Sequence, residues 1–127
     1  MAIIGEFRIN GDVIAAPYVR GGVNIPRLDA WGWLWLLVDS GADKTTLHPR
    51  EVEELGVDYE RLLPSSSTLS EGIGGNAAYY SEPAYFIFPD DRGLSLACYI
   101  DIDICHQDAR TSLRNVPSLL GRDFLNL

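Results

Sequence analysis

The amino-acid sequence predicts an all-β fold carrying one or two short helices, and two observations lead to that expectation. β-Branched and aromatic residues gather in short runs, at residues 3–9, 13–19, 31–38, 79–88 and 94–104, and Gly, Pro, Asn and Asp punctuate them. Only two segments read as helix. The five runs are therefore read as strands. Asn10-Gly11-Asp12 joins the first two and Pro89-Asp90-Asp91-Arg92-Gly93 the last two, and both read as hairpin turns. The first helix is expected after Leu47, in Pro49-Arg50-Glu51-Val52-Glu53-Glu54-Leu55-Gly56. There Pro needs no N–H in the first turn, acids face the positive N-terminal end, and Gly stops the helix. The second begins at Arg122, with Phe124, Leu125 and Leu127 expected to cover one side of the sheet. Residues 65–70 read as a polar stretch, too short for an interdomain linker, and no internal repeat is present.

With 127 residues, the chain is expected to form a single domain spanning residues 1–127. Ten Lys and Arg against eighteen Asp and Glu give a net charge of -8. Such a chain lacks the basic surface that neutralises phosphates, which argues against nucleic acid and anionic membrane as partners. Glu6 and Arg8 interrupt what would have to be the apolar core of a signal peptide, and the longest apolar run, 31–38, falls far short of the roughly 20 residues of a membrane-spanning helix. A cytoplasmic location is expected. Cys98 and Cys105 lie in a strand-like stretch without metal-ligand spacing around them and are expected to be free thiols.

The chemically informative segment is Leu36-Leu37-Val38-Asp39-Ser40-Gly41-Ala42-Asp43, an apolar strand that runs straight into an acid, a hydroxyl and a glycine. Alternation along the strand puts Asp39 on the face of Leu37 and Trp35, so its carboxyl would sit beside an apolar wall. Alone, Asp-Ser-Gly reads as a turn after a strand. A phosphate-handling aspartate is the weaker alternative: Lys44 is nearby, but the strand-helix alternation of a parallel sheet is missing. Glu71-Gly72-Ile73-Gly74-Gly75-Asn76 reads as a hairpin tip whose backbone can approach a ligand. Without a GxxxxGK[ST] pattern and a following helix, it does not make a phosphate loop. The third segment, Val116-Pro117-Ser118-Leu119-Leu120-Gly121-Arg122-Asp123-Phe124-Leu125, reads by itself as a core strand with a charged end.

In this order, Leu37-Val38-Asp39-Ser40-Gly41-Ala42-Asp43, Gly72-Ile73-Gly74-Gly75 and Leu119-Leu120-Gly121-Arg122-Asp123-Phe124-Leu125 closely resemble the retropepsin family of aspartic proteases. The resemblance covers about residues 33–125. It implies a closed β-barrel with a flap hairpin, peptide substrates, homodimerisation and no cofactor. It further implies that Asp39 is the catalytic aspartate, that Ser40 braces the two active-site loops across the dimer axis, and that Gly41 lets the substrate backbone approach. Ala42 and Asp43 would meet substrate backbone, with Asp43 pairing with Arg122 after Gly121. Gly72, Ile73, Gly74 and Gly75 would form the flap tip, and Leu37, Thr46, Ile73 and Leu119 would line substrate pockets. Two departures stand out. The helix-like segment 49–56 is foreign to the viral members and closer to cellular or bacterial ones. Viral members also continue past the late helix into a strand of the dimer sheet, whereas this chain stops at Leu127, so the dimer is expected to be held differently or the chain to be part of a longer one.

One aspartate cannot be both base and acid toward a water, and the chain has one Asp-Ser/Thr-Gly. The second carboxylate is therefore expected from a second copy across a two-fold axis. Asp101 and Asp103 alternate with apolar residues and read as the solvent face of a strand, while His48 and His106 read as surface or structural. The competing reading is a dimeric peptide-binding or scaffolding module of the same fold without useful turnover.

Overall fold

The computed structural model describes residues 5–10, 14–62, 67–72, 75–93, 95–105 and 113–126. Its strands are β1 (Gly5–Asn10), β2 (Ile14–Ile25), β3 (Ala30–Val38), β4 (Thr46–Leu47), β5 (Ser67–Gly72), β6 (Gly75–Pro89), β7 (Ser95–Cys105) and β8 (Leu119–Leu120). Two short helices complete it, α1 (Pro49–Leu55) and α2 (Arg122–Leu125). All strands belong to one sheet in the order β1-β2-β3-β8-β4-β7-β6-β5, and β6 also pairs with β2. That extra pairing, Gly22↔Ile87, Val23↔Phe86 and Asn24↔Tyr85, returns the ladder to its start. The strands from β2 round to β6 thus form a closed barrel, from which β1 and β5 extend. Among the described residues, only β3–β8 and β4–β7 pair in parallel.

Alternation decides which side chains fill the barrel. On β3, Leu34 and Leu36 are buried while Trp31 and Trp33 face outward. On β6, Ala84, Phe86 and Phe88 are fully buried, and Tyr85 and Ile87 between them are exposed. Val23, Ile25, Leu47, Ile102, Ile104 and Leu120 complete the interior. α1 has Pro in its first turn and ends at Gly56, which adopts a left-handed φ of 71°. Its Val52 and Leu55 are buried, with Leu55 against β3 at Gly32. In α2 the buried Phe124 ring packs on Phe88, their centroids 4.7 Å apart, and joins the core. Cys98 and Cys105 are both free, and burial holds the Cys105 thiol up at about 11, an unreactive state.

Several expectations need correction. Residues 67–72, within and beyond the polar stretch, form β5, because the long partner β6 supplies the backbone pairing and β5 needs no apolar pattern of its own. β2 runs on to Ile25 through Arg20-Gly21-Gly22, zipped against the strongly apolar β3. Asp103 is 6% exposed, not on a solvent face, although Asp101 is exposed. Leu125 is also exposed, so within α2 only Phe124 is buried. The 89–93 turn forms, with Arg92 N–H donating to the Asp90 carboxylate and Gly93 at φ 78°. Asn10 pairs with Ile14 at the first hairpin, but Gly11 and Asp12 lie outside the described residues, as do His106 and Leu127.

Gly21 faces inward beneath Phe88, where a Cβ would come 2.7 Å from the ring. With that ring fully buried and unable to yield, Gly21→Ala is expected to destabilise by about 1–3 kcal/mol through overpacking. At the neighbouring Gly22, a Cβ meets only Trp33 at an ordinary 3.5 Å, so Gly22→Ala should stay within about 0.5 kcal/mol of the parent. Urea midpoints of the two variants measure the contrast.

Candidate active site

Asp39 owes its position to the strand before it. Leu37 and Val38 pair in parallel with Leu119 and Leu120, and the Asp39 N–H donates to the Leu120 carbonyl at 3.1 Å. The carboxyl is thereby delivered at the end of a rigid element, at the point where the chain leaves the sheet. The loop then folds onto it: Gly41 N–H donates to Asp39 Oδ1 at 2.9 Å and Ala42 N–H to the Asp39 carbonyl at 3.2 Å. Ser40 and Gly41 are exposed at the tip of this turn.

Because β3 and β8 are parallel, their ends emerge on the same side and the segment after β8 lies along the Asp39 loop. Arg122 N–H donates to the Ala42 carbonyl at 2.8 Å and Asp123 N–H to the Asp43 carbonyl at 3.2 Å. Gly121 lies closest of all. A Cβ there would sit 2.6 Å from the Lys44 carbonyl carbon and 3.0 Å from the Ala42 oxygen, both backbone atoms. The Arg122 guanidinium forms an ion pair with Asp43, their side chains 50% and 80% exposed. An ion pair this exposed contributes at most about 1 kcal/mol.

Beneath the loop is a polar clamp that the local pattern hardly marks. Thr45, fully buried, donates its N–H to the Asp123 carboxylate at 2.9 Å and its hydroxyl to Asp123 Oδ1 at 2.8 Å. The same hydroxyl accepts from Gly121 N–H at 3.1 Å. Ser118 forms a second junction. Its carbonyl accepts from Leu37 N–H at 2.9 Å, its hydroxyl accepts from His48 N–H at 2.8 Å, and its N–H donates to Glu51 Oε1 at 2.8 Å. Glu51 is buried and takes Arg50 on its other oxygen, so it ties α1 to β8. Asp123 stood in the quoted Gly-Arg-Asp run, but nothing in the local pattern marked Thr45, Ser118 or Glu51 as its partners.

His48 is buried and structural. Its Nδ1 lies 2.7 Å from the Pro117 carbonyl, which can only accept, so Nδ1 carries the proton of the neutral ring and Nε2 accepts from the Tyr79 hydroxyl at 3.2 Å. Burial pushes the imidazole pKa below its ordinary value, against the opposing pull of the Pro117 hydrogen bond and Glu51.

Of the residues expected at the site, Leu37, Asp39, Ala42, Asp43, Thr46, Leu119, Gly121 and Arg122 come together around this crossing. Thr46 and Leu119 are direct ladder partners. Gly72 and Gly75 pair with each other at the end of the β5–β6 hairpin, and Ile73 and Gly74 between them lie outside the described residues.

No protein-family model matches the sequence, and no curated protein matches it. Among solved structures, the chain is similar to the EIAV protease complexed with the inhibitor HBY-793. The TM-score is 0.51 at 20% sequence identity, over 93% of this chain and 92% of that one. At that identity the likeness is one of fold, and the fold is the mostly β, retropepsin-like class expected from the sequence.

Gly121→Ala must push apart two stretches of backbone, so it is expected to destabilise by about 3 kcal/mol, whereas Arg122→Lys should change stability by no more than about 1 kcal/mol. Urea unfolding of both variants tests the ranking. The pH dependence follows from His48. Its folded pKa lies below the unfolded value of 6.5, so the unfolded chain takes up a proton that the folded chain refuses. Stability present above about pH 6.5 is therefore lost as pH falls toward the folded pKa. Asp103, whose carboxyl burial raises, contributes with the opposite sign. The His48 contribution is isolated by comparing wild type with His48→Gln: the gap between their urea midpoints should shrink as pH drops from 7 to 5.

Proposed function

We propose that this chain is one subunit of a homodimeric aspartic endopeptidase, a single protease domain in which Asp39 of each copy supplies one of two catalytic carboxylates. The observation that carries the reading is the placement of Asp39 at the exit of β3, its N–H bonded to β8 and the loop that follows it held by Gly121, Arg122 and Asp123, on a retropepsin-like fold. A carboxylate held this firmly on an open loop is positioned to act on a substrate rather than to fill a core.

Two such loops facing each other across a two-fold axis would bring the Asp39 carboxyls together. At short range one ionises and the other keeps its proton, as aspartic proteases as a class illustrate. The ionised group takes a proton from a water between them, and the water oxygen attacks the peptide carbonyl. The protonated group hydrogen-bonds the carbonyl oxygen as negative charge develops, and the departing amine is protonated as the C–N bond breaks. Ser40 braces one loop against the other, while Gly41, Ala42 and Asp43 meet substrate backbone. The β5–β6 hairpin, through Gly72, Ile73, Gly74 and Gly75, acts as a flap over the peptide. Leu37, Thr46, Ile73 and Leu119 line the side-chain pockets, and Gly121 and Arg122 support the loop. No helix among the described residues is long and apolar enough to cross a membrane.

Digestion of an unfolded protein or a peptide library, read by mass spectrometry across a pH series, tests this directly. Wild type should cleave with a bell-shaped pH profile, because the pair works only with one of its two protons. Asp39→Asn should abolish cleavage without changing the urea midpoint by more than about 1 kcal/mol. Specific activity should fall on dilution below the dimer dissociation constant, and excess Asp39→Asn subunits should suppress wild type by forming half-competent dimers. A monomer that cleaves at a concentration-independent rate would overturn the shared site. Binding of peptide without cleavage would favour the peptide-binding module.

A further inference from the structure

Lys44 is the only lysine in the chain, and it stands in the loop that begins at Asp39. Its side chain is 45% exposed, and its Nζ lies 3.4 Å from Oδ1 of Asp103, a carboxylate whose side chain is only 9% exposed. That oxygen has no hydrogen bond, although it is buried. Asp103 is fixed by its backbone, which donates to the Thr45 carbonyl at 3.0 Å and sits opposite Thr46 in the β4–β7 ladder. Burial disfavours its ionised form, Lys44 favours it, and Asp123 opposes it, with Tyr79 of β6 also within its field. A buried carboxylate left short of partners is costly. Its presence behind Lys44 makes a fixed positive group out of a side chain that is ordinarily free to swing.

The outward side of that ammonium retains donors for a ligand, since Lys has three N–H groups and one anionic partner here. The neighbouring charges on the loop are spoken for, Asp43 by Arg122 and Asp123 by Thr45. Distance can be read from the ladder. Lys44 leads into β4, and from β3 through β8 to β4 there are two strand spacings of ~4.8 Å, or ~10 Å along the curved wall, about three residues of extended peptide at ~3.4 Å each. A peptide that crosses Asp39 in the direction of β4 therefore passes Lys44 within about four residues of the bond to be cleaved.

We propose that Lys44, oriented by the positioning residue Asp103, is a specificity residue that reads the carboxylate of an Asp or Glu side chain in the substrate, within about four residues of the scissile bond. The proposal rests on the peptidase reading. It assigns a substrate class, peptides with an acid at one set distance from the cut.

The experiment scans Glu against Gln through the four positions on each side of the bond in a cleavable peptide and compares kcat/KM. Wild type should show one position at which Glu is favoured by about tenfold, the scale of a hydrogen bond to a charged group. Lys44→Met should bring that ratio to near one, and Lys44→Glu should favour a Lys peptide at the same position. Asp103→Asn leaves the ammonium but loosens it, so the ratio should fall through a higher KM for the Glu peptide rather than a lower kcat. If Lys44→Met does not fold, acetylation of the folded wild type at its sole side-chain amine serves in its place. A Glu/Gln ratio near one at every position, or one unchanged in Lys44→Met, overturns the proposal and leaves the peptidase reading intact. If wild type cleaves nothing, the peptidase reading falls, and the same peptide pairs are compared by fluorescence anisotropy. There a Lys44-dependent preference for Glu sustains the subsite and equal affinities overturn it.

Discussion

Gly121 lies so close to the backbone of Lys44 that no side chain could stand between them. Around that approach the loop carrying Asp39 and the segment leaving β8 exchange hydrogen bonds from Asp39 to Asp123. The same contact joins β3, β8 and β4. Without it the ring of strands opens on one side, since β8 is only Leu119 and Leu120 and offers little pairing of its own. Barrel closure and placement of the candidate catalytic carboxyl are thus one structural event. A glycine is required here for space rather than for backbone conformation, because what a Cβ would meet is main chain that cannot turn aside.

The polar interior under the loop follows from the shortness of β4 and β8. Two-residue strands leave N–H and C=O groups near the core that no ladder can satisfy, and buried polar groups must find partners. Thr45, Asp123, Ser118, Glu51 and His48 supply them, each linking segments far apart in sequence. Asp103 departs from this pattern, since it has a cation beside it but no hydrogen bond on its inner oxygen. Incomplete satisfaction next to a candidate site is the kind of local expense that a stable scaffold tolerates where recognition needs a fixed charge.

Much of the barrel was legible from local pattern. β3, β6 and β7 appear as β-branched and aromatic runs, α1 begins and ends where its Pro, acids and Gly predict, and α2 begins at Arg122 as expected. Asp39 at the end of an apolar strand could be read in the same way, because the strand signal and the turn chemistry sit within a few residues of each other. Those features depend on φ/ψ preference and period-two burial, which the neighbouring residues determine.

Other features were decided only by the tertiary structure. β5 carries no apolar pattern and is a strand because β6 pairs with it. β8 is too short to have a period, and its parallel alignment with β3, which brings Gly121 and Arg122 to the Asp39 loop, is a long-range choice. Asp103 alternates like a solvent-facing acid yet is buried, and His48, Glu51 and Ser118 form one network across about seventy residues of sequence. Whether a polar side chain is buried depends on which distant donors and acceptors the closed barrel brings to it, and local sequence carries no record of those partners.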